Sequence, residues 1–87
     1  MSYNQDIIVY STPTCPRCKL LVSELRKIGL PCREMPLDGD ALSRCLIETD
    51  RWVMEAPLIN FDGWWYFASD VFGKDGKLLP NWDEQFR

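Results

Sequence analysis

Cys15-Pro16-Arg17-Cys18 is where residue type and spacing together point to chemistry in this 87-residue chain. Two thiols separated by two residues can close a disulfide with each other or share a metal ion. Their surroundings favour the first. The run Ile7-Ile8-Val9-Tyr10 is β-branched and aromatic, the pattern of a strand covered on both faces. From Pro16 onward Cys18, Leu21, Val22, Leu25 and Ile28 recur at helical spacing, with Pro16 suited to a first turn and Gly29-Leu30-Pro31 to a stop. Cys15 therefore stands at a strand-to-helix junction, facing unpaired N–H groups and the positive pole of the helix. A thiol so placed falls from about 8.5 into the range of roughly 3.5 to 7.5 and is the nucleophile at neutral pH. Arg17 adds positive charge in the same turn. The expected reaction is thiol–disulfide exchange, in which Cys15 forms a mixed disulfide and Cys18 resolves it, closing a Cys15–Cys18 bond. The chain contains no histidine, which removes Ser-His and Cys-His nucleophile pairs and every histidine-containing zinc or haem site. None of the exchange steps needs one.

The elements that position this pair are legible in outline. Cys32 to Leu37 reads as a strand, placed at an edge by Pro31 and Pro36. Asp40 is a good N-cap for a short helix running to about Glu48, with Leu42, Cys45, Leu46 and Thr49 on one face. Ala56 to Phe61 and Trp64 to Phe67, separated by Asp62-Gly63, carry the signal of a β-hairpin. Ser69 and Asp70 offer a cap for a last helix from Val71 to about Leu79, weakened by Gly73 and Gly76 and closed by Pro80. The tail from Asn81 is expected to be loosely packed, with Trp82 as its one anchor. Strand, helix and strand in this rhythm form a βαβ unit, so the first two strands should be parallel neighbours. The length allows one core, and residues 1–87 are expected to form one α/β domain.

Composition narrows the function classes. A net charge of −3 gives no basic footprint for phosphate backbones or anionic lipid, so neither nucleic acid nor membrane is an expected partner. No run approaches the roughly 20 apolar residues of a spanning helix, and the first residues carry no signal-peptide pattern. A cytoplasmic monomer is the expectation, and in a reducing compartment a close cysteine pair is more often catalytic or metal-binding than structural.

The segment Ile8 to Cys18, with its Ser11-Thr12-Pro13-Thr14 turn and Cys-Pro-Arg-Cys pair, resembles the opening of a glutaredoxin or of the glutaredoxin-like hydrogen donors of ribonucleotide reductase. The resemblance implies a minimal thioredoxin fold, β-α-β-α-β-β-α, with a four-stranded mixed sheet and helices on both faces. It implies disulfide oxidoreductase activity with Cys15 and Cys18 catalytic, and no bound cofactor. Ala56-Pro57 matches the family's cis proline in place and type, which would free the Ala56 backbone to pair with an extended substrate. Ala68-Ser69-Asp70 resembles the turn that receives a carboxylate of glutathione. Three positions depart: Thr12 stands where glutaredoxins usually carry a lysine, Arg17 where they usually carry an aromatic residue, and Phe67-Ala68 where they carry a glycine pair. Two electron sources therefore stay open, glutathione as co-substrate or a flavoprotein disulfide reductase such as thioredoxin reductase, with a protein disulfide such as that of ribonucleotide reductase as substrate.

Other readings stand beside these. Cys32 and Cys45 lack the second close pair of a zinc ribbon and read as small buried hydrophobes. A zinc module, or an iron–sulfur cluster bridged between chains by Cys15, is the alternative from another class. Alternation sends one ring of Trp64-Trp65 into the core and leaves the other, with Phe67, as a partner contact. Arg17 is either a solvated helix residue or a steering charge for an acidic substrate.

Overall fold

The computed structural model describes residues 7–53 and 55–86. β1 (Ile7–Ser11), α1 (Pro16–Lys27), β2 (Cys32–Pro36), α2 (Gly39–Thr49), β3 (Leu58–Phe61), β4 (Trp64–Tyr66) and α3 (Ala68–Val71) follow one another, and a 3₁₀ turn (Trp82–Phe86) closes the described chain. The sheet is open, four-stranded and mixed, in the order β2-β1-β3-β4. β1 pairs parallel with β2 and antiparallel with β3, and β3 pairs antiparallel with β4. β2 is thus the edge strand that its flanking prolines foretell, and β1 is central.

Alternation along β1 divides the core. Ile7 and Val9 pack with Leu21, Val22 and Leu25 of α1 and with Val71 of α3, while Ile8 and Tyr10 face Ala41 and Cys45 of α2. Helices therefore cover both faces of the sheet. α1 ends as Gly29 predicts: Gly29 has φ of 80°, its N–H donates to Arg26 O, and Leu30 N–H donates to Leu25 O. Asp62 and Gly63 both have positive φ, the backbone of a two-residue hairpin turn whose twist matches its strands.

Three expectations are corrected. The cap of α2 is Asp38 rather than Asp40, because Asp38 Oδ1 accepts from Ala41 N–H at 3.0 Å and Asp40 already lies in the first turn. The last helix spans only Ala68–Val71. Beyond it Phe72 bridges Leu78, with Gly73 N–H donating to Lys77 O and Gly76 at φ of 80°, since Gly73, Asp75 and Gly76 favour a turn over continued helix. The tail is packed, not loose. Phe86 is buried, with its ring edge-on to Phe61 at 5.6 Å and to Tyr66 at 5.2 Å between centroids. No helix among the described residues is long and apolar enough to cross a membrane.

Candidate active site

Cys15 is the N-cap of α1, in extended backbone, with Pro16 in the first turn. Its Sγ accepts from Cys18 N–H at 3.1 Å, the interaction a cap oxygen would otherwise make, and it is bonded to Cys18 Sγ in a disulfide. The first turn of α1 contains no acidic residue, so nothing in the helix itself neutralises its positive end beside the sulfur. Both residues are buried but differ in degree: Cys15 is 8% exposed and Cys18 1%. A thiol arriving from solvent, or a substrate disulfide attacked from within, meets Cys15 first.

The chain crosses back to the pair just before β3. Ala56 packs against Cys15 and Cys18, with Leu37 beside them, and the Ala56–Pro57 peptide is cis. The Ala56 carbonyl already accepts one hydrogen bond. Arg17 Nη2 donates to Ala56 O at 2.9 Å and lies 3.2 Å from Glu55 Oε2, while its guanidinium carbon stands 5.7 Å from the centre of the Phe72 ring. Arg17 is accordingly a half-buried helix residue with partners in the segment before β3. It lines an open cleft of about 300 Å³ together with Glu55, Ala68, Ser69, Phe72 and Lys74.

The other expected site residues divide. Ser69 shares this cleft with Arg17, and Pro57 is fully buried beside Ala56. Asp70 turns its carboxylate back to accept from Phe67 N–H at 2.7 Å, and so serves α3. Thr12 is exposed in the turn after β1 and faces a different groove, with Lys19, Glu34 and Met35. Glu55, Phe72 and Lys74 escape sequence reasoning altogether. Glu55 precedes Ala56-Pro57 and pairs with a residue 38 positions away, a separation that no periodicity marks.

Neither remaining cysteine joins the pair. Cys45 is buried in α2, as expected, with its Sγ 3.6 Å from Thr49 Oγ1. Cys32 is only half-buried at the start of β2, a correction that follows from its place on the edge strand. Burial nonetheless pushes its thiol above the ordinary range, against the opposing pull of the Arg26 charge. Among the described residues, no three His, Cys, Asp or Glu side chains converge as a metal-holding group. Of the tryptophans, Trp64 projects outward, but Trp65 is half-buried rather than core: it stacks on Tyr10 at 5.9 Å and donates from Nε1 to Glu48 at 3.0 Å.

The chain was compared with protein-family models, with curated proteins and with solved structures, and no match was found in any of the three.

Proposed function

We propose that this chain is a small thiol–disulfide oxidoreductase, a glutaredoxin-like electron carrier of thioredoxin fold, with Cys15 as nucleophile and Cys18 as resolving thiol. The observation that carries this reading is the Cys15–Cys18 disulfide at the N-terminus of α1, with Cys15 the more accessible sulfur. The element order and mixed sheet are compatible with that fold, and the cis Ala56–Pro57 peptide beside the pair agrees with the resemblance.

In the reduced protein the Cys15 thiolate attacks one sulfur of a substrate disulfide. That S–S bond breaks, the other substrate sulfur leaves as a thiolate and takes a proton, and a Cys15–substrate disulfide forms. The Cys18 thiolate then attacks Cys15 Sγ, the second substrate thiol departs, and the intramolecular disulfide is restored. The substrate gains two electrons and two protons. Two electrons return from an external thiol: a pair of glutathione molecules, themselves oxidised to the disulfide, or the dithiol of a flavoprotein disulfide reductase. In this reading the start of α1, with Cys18 N–H donating to Cys15 Sγ, is what favours Cys15 as the attacking sulfur, and a reducing compartment such as the cytoplasm is where such a dithiol would work. A protein disulfide such as that of ribonucleotide reductase is the substrate class.

The test is a coupled assay of disulfide reduction with glutathione and its reductase in one arm and thioredoxin reductase in the other. Cys15→Ser should abolish turnover in whichever arm is active. Cys18→Ser should leave Cys15 able to form a mixed disulfide that accumulates and is seen by mass. Turnover retained by Cys15→Ser, or an absorbing iron–sulfur chromophore in anaerobically purified protein, would overturn the assignment.

A further inference from the structure

A substrate strand that lies along Ala56 meets a carbonyl with a guanidinium against it, one of its two acceptor sites in use. Arg17 holds it at 2.9 Å, and the same nitrogen is tied to Glu55 at 3.2 Å. This clamp is held loosely: the Arg17 side chain is 34% exposed and that of Glu55 64%, and ion pairs of such exposure are weak. Lys74 also lines the cleft, exposed and making no ion pair among the described residues. The charged side chains lining the cleft are thus two cations and one carboxylate, over an aromatic floor at Phe72.

Resting on the oxidoreductase reading, we propose that Arg17 determines substrate specificity, exchanging its bond to Ala56 O for a carboxylate on the incoming chain. The preferred substrate is then an extended polypeptide disulfide with Asp or Glu beside its reacting cysteine. Three physical points support the exchange. A guanidinium offers a planar fork that binds a carboxylate through two hydrogen bonds, whereas Ala56 O receives only one. Glu55, released, returns to solvent without a buried charge left behind. The vacated carbonyl becomes an acceptor for the substrate's own backbone N–H. A neutral substrate must displace Arg17 without offering it a replacement, and a basic one also meets two like charges.

The experiment uses peptides with blocked termini, each carrying one cysteine as a mixed disulfide with the same small neutral thiol and differing only in Glu, Gln or Lys beside that cysteine, on either side. Values of kcat and KM are measured for the full chain and for Arg17→Met, Arg17→Lys and Glu55→Gln. In the unaltered protein, kcat/KM should favour the Glu peptide over the Lys peptide by about tenfold, mostly through KM, and the preference should shrink in 1 M salt. Arg17→Met should reduce the preference for the Glu peptide to the small remainder that exposed Lys74 supports, and lower KM for the Gln peptide, because the carbonyl is then unguarded. Arg17→Lys should restore part of the preference, and Glu55→Gln should strengthen it. Equal kcat/KM for all three peptides in the unaltered protein, or a preference undiminished in Arg17→Met, would overturn this role while leaving the oxidoreductase reading intact. Reduction of none of them would overturn both.

Discussion

At the residue scale the four cysteines separate by environment. Cys15 borrows a helix terminus and Cys18 is sealed behind it, Cys45 is a core side chain, and Cys32 sits half-covered with its thiol pushed up by burial. For Cys32 the sign is definite. The folded protein holds its proton to higher pH than the unfolded chain does, so its contribution to stability is intact below the ordinary thiol pKa and is lost as pH rises through the higher folded value. Alkylation of Cys32 by iodoacetamide, followed by mass in Cys15→Ser/Cys18→Ser/Cys45→Ala protein, should therefore set in at a higher pH when folded than in urea. Onset at the same pH in both states would contradict the burial effect. Sequence made the pairing of Cys15 with Cys18 legible because their separation of 3 is local. It left Arg17 ambiguous, because its partners Glu55 and Ala56 come from a distant segment brought near by the β1–β3 pairing.

At the scale of elements, α1 and the hairpin were readable because their signals are chemical: Pro16 and Gly29 bound the helix, and Asp62-Gly63 supplies two positive-φ positions. The starting point of α2 was not, since Asp38 and Asp40 are equally good capping residues and only the backbone geometry at Asp38 decides. Replacement of Asp38 by Ala should cost about 1 kcal/mol in urea unfolding, and replacement of Asp40 by Ala distinctly less. Equal losses would mean that the cap is shared. The region after Val71 was misread for a related reason. Its capping residues and Pro80 suit a helix, but Asp75 Oδ1 accepts from Lys77 N–H at 3.0 Å and stabilises the turn in competition with it.

At the scale of the whole molecule, the parallel pairing of β1 with β2 and the β3–β4 hairpin were legible in the element order and their local signals, the joining of the four strands into one mixed sheet with helices on both faces was implied by the resemblance, and the packing of the end of the described chain was foretold by neither. Five residues, Trp82–Phe86, are too few to show a period, so nothing in their pattern marks Phe86 as core. Phe86→Ala should destabilise the fold by about 3 to 5 kcal/mol, measured by urea titration, a loss expected of a buried aromatic and not of a loose tail. The pairing of β1 with β3 at the centre of the sheet has a consequence for the lifetime of the site. The disulfide follows one of these strands and the Ala56 contact precedes the other, so both hang on the ladder that joins Val9 to Ile59. Amide protons in that ladder should exchange with deuterium only through global unfolding, while those of the β2 edge exchange through local fraying. The two halves of the site would then stay in register through every partial opening that spares the central strands, and would part only when the whole protein does.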